Sequence, residues 1–151
     1  MKSRIVFLIL IMIACGIPVA AQKMEPVLGV NGEQVQIDKG WKYIAYLADK
    51  KDKVTDIYSY QIKSVVNFTP NSFKFWVKQK SYQVGSSISY ILFLTEVRCR
   101  TRESRTPKIV DYRADGSIAE SVSNSGATFE DVAPESVGEE ILTTICKEYD
   151  K

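Results

Sequence analysis

From Trp41 to about Val122 the apolar residues recur mostly at every second position, which is the period of strands that bury one face. The alternation is cleanest in Ser72 to Gln79, where Phe73, Phe75 and Val77 share one face and Lys74, Trp76 and Lys78 the other. The longest predicted strand runs from Ile88 to about Arg102. It puts Ile91, Phe93, Val97 and Cys99 on one side and Tyr90, Leu92, Leu94, Arg98, Arg100 and Arg102 on the other. Trp41 to Ala48 reads as a strand followed by a polar turn, and Val54 to Phe68 as two strands or one long bent strand. Thr69-Pro70-Asn71 ends that stretch, because proline has no N–H to give to a ladder. Gly85-Ser86-Ser87 marks another turn. Beyond Pro107, Lys108 to Tyr112 and Ser117 to Val122 flank Ala114-Asp115-Gly116, where Asp-Gly suits the positive φ of a tight hairpin.

The period changes near the C-terminal end. Ser136 and Glu139 have the spacing of a capping box, with Pro134 just ahead of it. Val137, Ile141, Leu142, Ile145, Cys146 and Tyr149 then fall on one stripe of a helix ending near Glu148. The predicted fold class is α+β: a mainly antiparallel sheet of five to seven strands in meander order, with one C-terminal helix packed on one face. Cys99 and Cys146 each point to the apolar side of their own element, so a disulfide between them would tie the helix to the sheet.

Whether that bond can form depends on the compartment, and the N-terminal residues bear on it. Lys2 and Arg4 precede a wholly apolar run from Ile5 to Ala14, which Gly16 and Pro18 break before Val19-Ala20-Ala21. This is the pattern of a secretory signal peptide, and the run is too short to span a bilayer as a helix. Cleavage after Ala21 is the expected processing. The competing site is Cys15, whose surroundings partly resemble a lipobox, and membrane contact would follow only from lipidation there. The domain expectation is a signal peptide over 1–21, an N-terminal tail or edge segment over 22–40 and one domain over 41–151. After cleavage two cysteines remain in an oxidising compartment, where pairing is expected.

Charge narrows the partners. Losing residues 1–21 removes two basic side chains and leaves the mature chain neutral, so nonspecific nucleic-acid binding lacks its driver. The charge is uneven: residues 41–113 hold 14 basic and 6 acidic side chains, and 115–151 hold 2 basic and 9 acidic, which suits an acidic end folded back on a basic sheet. Histidine is absent, which removes the commonest proton shuttle and transition-metal ligand. Asp49, Asp52 and Asp56 lack the glycine and terminal glutamate of a calcium loop, and the serines of Ser121 to Ser125 lack a base. No catalytic residues, metal or cofactor are expected.

Binding is the remaining chemistry. If the helix covers the Phe73–Phe93–Cys99 face, the other face presents Trp76, Tyr90 and Leu92 beside Lys74, Lys78, Arg98, Arg100 and Arg102. Aromatic residues ringed by cations suit contact with a protein, and the same arginines would also attract sulfated glycans or anionic head groups. The alternative reading is that the N-terminal segment or a bent sheet edge buries this face.

The order Trp41, Phe75-Trp76-Val77-Lys78, Glu96-Val-Arg-Cys99-Arg-Thr-Arg102, Tyr112-Arg-Ala-Asp-Gly116, Val132-Ala-Pro134-Glu-Ser136-Val-Gly-Glu139 and Cys146 resembles the bacterial surface-adhesin protein E family over nearly all of residues 41–148. Two places depart from it: Phe129 stands where a tryptophan is expected, and Glu135 where a glycine is usual. The resemblance implies the same sheet, helix and Cys99–Cys146 bridge, and adhesion of a Gram-negative cell to host matrix proteins; the expected function is an exported, non-enzymatic binding protein of that envelope, in the periplasm or on the outer-membrane surface, with a homodimer as a further expected partnership. Two other readings are a periplasmic accessory protein whose partner lies in the cell's own envelope, and a small-ligand or lipid carrier using a pocket between helix and sheet.

Overall fold

The computed structural model describes residues 27–28, 34–35, 37–51, 53–82 and 85–150. The expected signal peptide, its cleavage point at Ala21 and the alternative lipidation site at Cys15 lie outside the described residues. Among the described residues, ten strands and one α-helix follow in the order β1 (Val27–Leu28), β2 (Gln34–Val35), β3 (Trp41–Ala48), β4 (Val54–Gln61), β5 (Val66–Thr69), β6 (Ser72–Ser81), β7 (Ile88–Arg98), β8 (Glu103–Arg113), β9 (Ile118–Ser123), β10 (Glu130–Asp131) and α1 (Val137–Tyr149). A 3-10 turn, Ile62–Ser64, separates β4 from β5. β1 and β2 pair only with each other, and the other eight strands form one antiparallel sheet.

The sheet is a meander with one excursion. Its path is β10-β8-β7-β6-β4-β3, with β9 also pairing β8 and β5 also pairing β6. β3, β4, β6, β7, β8 and β9 give a six-strand meander, within the five to seven strands expected from the alternation, and the short β5 and β10 are added to it. The Val54 to Phe68 stretch is thus two strands. Gly116, at φ 82°, makes the predicted hairpin between β8 and β9.

Two predicted boundaries are corrected. β8 begins at Glu103 and runs through Pro107 instead of starting after it. The register between β7 and β8 slips between Leu94 and Glu96, so Pro107 sits at a bulge where no ladder N–H is required, and its carbonyl accepts from Asn124 N at 2.8 Å. β7 ends at Arg98, not Arg102. Residues 99–102 form a turn in which Arg102 has φ 58°.

One face of the sheet carries the core. Phe73, Phe75, Val77 and Val97 alternate inward from β6 and β7 and meet Tyr60 of β4 and Leu142 and Ile145 of α1, all at most 3% exposed. A bulge in β3 between Tyr43 and Ala45 lets the consecutive Ile44 and Ala45 both turn inward. Burying each of the larger side chains contributes roughly 2–3 kcal/mol relative to exposure, which is why the stripe on α1 settles here.

The helix is fixed at both ends. Ser136 Oγ accepts from Glu139 N at 3.2 Å, which is half of the predicted box. The return arm differs from expectation: Glu139 Oε2 accepts from Glu135 N at 2.7 Å, while its other oxygen pairs with Arg102 in the β7–β8 turn. Near the far end the Cys99–Cys146 disulfide joins α1 to the start of that same turn, with the Cα atoms 5.5 Å apart. Cys99 N donates to Asn71 O at 2.8 Å, which ties the start of the turn to the residue before β6. Closing a loop with a sequence separation of 47 stabilises by roughly 4 kcal/mol in the chain-entropy account.

Candidate binding surface

The face away from α1 is set by the cross-strand register. One row runs Trp76, Leu94, Lys108, Ser123; the next runs Lys78, Leu92, Val110, Ser121; a third runs Lys80, Tyr90, Tyr112, Ile118. Tyr90 and Tyr112 stack with centroids 4.6 Å apart and planes 13° off parallel. Trp76, Tyr90, Leu92, Leu94 and Tyr112 are all partly exposed, whereas Val110 between them is 6% exposed. The result is an aromatic and aliphatic band that water still reaches.

Charged groups at the two ends of this band are already engaged. At one end Lys78 is only 13% exposed in its side chain: its Nζ lies 2.7 Å from Asp38 Oδ2 and 4.1 Å from the Trp41 ring centre. The hydrogen bond and charge of Lys78 hold the Asp38 carboxyl below its usual range, against the opposing effect of burial. Ile37 and Tyr82 pack beside them on Val54 and Ile57. At the other end Glu96, 5% exposed, pairs with Arg105 at 2.6 Å and with Lys74 at 3.2 Å. Phe129 receives the guanidinium carbons of Arg98 and Arg105 at 3.8 and 4.5 Å from its ring centre. Arg105 also donates to Ala127 O at 3.1 Å, so the segment before β10 is strapped to this face.

These contacts sort the residues expected on the face. Lys74, Trp76, Tyr90, Leu92 and Arg98 lie on it together, with Lys74 and Arg98 side chains 43% and 47% exposed. Lys78 lies on it too, covered by Asp38 and Trp41. Arg100 and Arg102 leave it: β7 has ended, Arg100 is exposed in the turn, and Arg102 reaches the helix through Glu139. The three arginines therefore do not form one ladder. Lys108, Val110 and Tyr112 were not singled out from the sequence; their own alternation was visible, but the register that sets them beside Leu94, Leu92 and Tyr90 was not.

The aspartates of the calcium-like stretch do local work. Asp49 Oδ1 accepts from the backbone N–H groups of Lys51 and Lys53 at 2.8 and 3.1 Å, and Asp56 accepts from Gln79 Nε2 at 3.0 Å; Asp52 lies outside the described residues. Among the described residues no group of three or more Cys, Asp or Glu could hold a metal ion. None of the described helices is long and apolar enough to cross a membrane.

The architecture is that of an α+β protein in which a terminal helix is bonded through sulfur to one side of a curled antiparallel sheet. Solved structures of Haemophilus influenzae protein E share it. Crystal form II is similar with a TM-score of 0.53 at 12% identity, over 77% of this chain and 94% of that one. A second structure gives 0.50 at 12%, over 76% and 89%, and the Se-Met form 0.51 at 11%, over 83% and 95%. At such identity the likeness shows the fold. No protein-family model and no curated protein matches the chain.

Proposed function

We propose that this chain is an exported, non-enzymatic binding protein of the bacterial envelope, related to the surface-adhesin protein E family, and that it engages a protein partner through the helix-free face. The observation that carries the reading is the band of Trp76, Leu92, Leu94 and the Tyr90–Tyr112 stack, part-exposed in the middle of a sheet and bordered by Lys74 and Arg98. Aromatic anchors with cations at the margin are the composition of a protein interface, and the side chains already held by the sheet lose little freedom on association. The proposed partner is a host matrix protein, and the proposed location is the outer-membrane surface.

The test is solid-phase binding of the oxidised domain to matrix proteins, with protease shaving of intact cells alongside. Trp76→Ala and Tyr90→Ala should weaken binding while the melting temperature moves by only a few degrees. A product that shaving never reaches would remove the adhesin reading and leave a partner inside the envelope. Variants that bind as well as the parent would remove the surface itself.

A further inference from the structure

α1 covers only part of the core face. Beside its first turns, β6 and β7 supply Val77, Phe93 and Thr95 to a cavity of about 220 Å³ whose other wall is Val137, Gly138 and Ile141. Tyr58 and Gln79 close one side, Ser104 and Thr106 the other. A larger cavity of about 480 Å³ adjoins it beneath the segment before β10, and both are lined by Ser104, Thr106 and Gly138.

The chemistry of this cleft is specific. Thr95 is 7% exposed and its hydroxyl makes no hydrogen bond within the described residues, but the oxygen is open to the cleft; among the described residues the sealed, unpartnered side-chain atom is Tyr82 Oη. An unpartnered hydroxyl open to a cleft is free to donate to and accept from whatever enters it. Around it the polar groups of the smaller cavity are neutral and can both donate and accept: the hydroxyls of Ser104, Thr106 and Tyr58 and the amide of Gln79. No cationic side chain lines that cavity. In the larger one Arg105 is committed to Glu96 and Ala127, while Glu130 and Asp131 contribute negative charge, so an anion is disfavoured. Val77, Phe93 and Ile141 supply apolar surface for C–H groups.

A ligand that is uncharged, bears hydroxyls able both to donate and to accept, and has apolar C–H faces fits this lining. We propose that the cleft between α1 and β6–β8, with the Thr95 hydroxyl at its floor, binds a neutral saccharide unit. The site lies on the other side of the sheet from the proposed partner surface and does not depend on it.

Chemical-shift mapping of the oxidised, isotope-labelled domain tests this with three probes: a free neutral trisaccharide, the same sugar coupled to an unrelated carrier protein, and an uncharged alkyl glycol. Either sugar should shift the amide signals of Phe93, Thr95, Thr106 and Ile141; a response to the free sugar marks a soluble ligand, and one to the conjugate alone marks the end of a longer glycan. Thr95→Val keeps the shape and removes the hydroxyl that faces the cleft, so it should leave the melting temperature nearly unchanged while weakening the sugar roughly tenfold. Thr106→Val provides a second, less buried variant with the same expected direction. A silent sugar arm, a response to the alkyl glycol alone, or undiminished binding by Thr95→Val would each overturn the proposal.

Discussion

Tyr60 of β4 donates its phenolic hydroxyl to Glu148 Oε2 of α1 at 2.8 Å, from a side chain that is itself 0% exposed. Lys42 of β3 reaches the same carboxylate oxygen at 2.6 Å, and the Tyr60 ring stands edge-on to both Phe75 and Tyr149. One hydroxyl thus registers the last turn of the helix against β4, the strand next to the β3 edge. Tyr60→Phe should lower the unfolding free energy by about 1–2 kcal/mol, since the shape is kept and a charge-assisted bond is lost. Urea unfolding monitored by tryptophan fluorescence reads the change.

The same burial predicts an alkaline limit. It pushes the Tyr60 hydroxyl well above the usual phenol range, helped by the bonds to Tyr149 and Glu148, and it pushes the Tyr82 hydroxyl up to about 12. In the unfolded chain both titrate near pH 10. Below that value the stabilisation is fully present; above it the unfolded state sheds protons that the folded state keeps, so stability falls as pH rises. Melting temperatures should be flat through neutral pH and drop from about pH 10 upward, with a shallower drop in Tyr60→Phe.

Reduction of Cys99–Cys146 should cost up to about 4 kcal/mol and leave the sheet more stable than the helix docking. Thiol titration before and after denaturation, together with hydrogen exchange on Leu142 and Ile145, separates loss of docking from global unfolding.

Glu135 has φ 57°, a left-handed conformation, immediately before the helix cap. Glu135→Gly should therefore raise stability by up to about 1 kcal/mol, because relief of the Cβ clash exceeds the entropy gained by the unfolded chain. A rise in melting temperature checks it. The glycine implied at this place by the family resemblance has that physical explanation.

Glu96 should be sensitive to the loss of its nearer partner. Arg105→Ala leaves a carboxylate 5% exposed with only Lys74 beside it and also removes one cation from Phe129, and about 2–3 kcal/mol of destabilisation is expected, discounted for the partial exposure of the arginine. Lys74→Gln, which removes the longer and more exposed contact, should cost under about 1 kcal/mol by the same denaturant measurement.

What could be read from the residues alone was governed by local periodicity. Phe73-Phe75-Val77 and the stripe from Val137 to Tyr149 each declare a buried face, and Cys99 and Cys146 lie on those faces, so sheet, helix and bridge were legible together. The relations that decide the binding surface are long-range. Asp38 neutralises Lys78 across forty positions, and Phe129 gathers Arg98 and Arg105 from different strands. Nothing in the alternation of β7 announces that the chain turns after Arg98, because Arg100 and Arg102 continue the pattern in sequence while the backbone abandons it. Pro107 misled in the opposite sense: it reads as a break, and a bulge absorbs it.

The position of the sulfur bridge also decides how the domain would carry a mechanical load. A pull applied at Asp150 passes through Cys146 to Cys99 and so straight into β7, by a covalent route that bypasses β8, β9, β10 and the first turns of α1. Tension along that path cannot peel the helix away turn by turn. The load is delivered instead to β7, which lies between β6 and β8 inside the sheet.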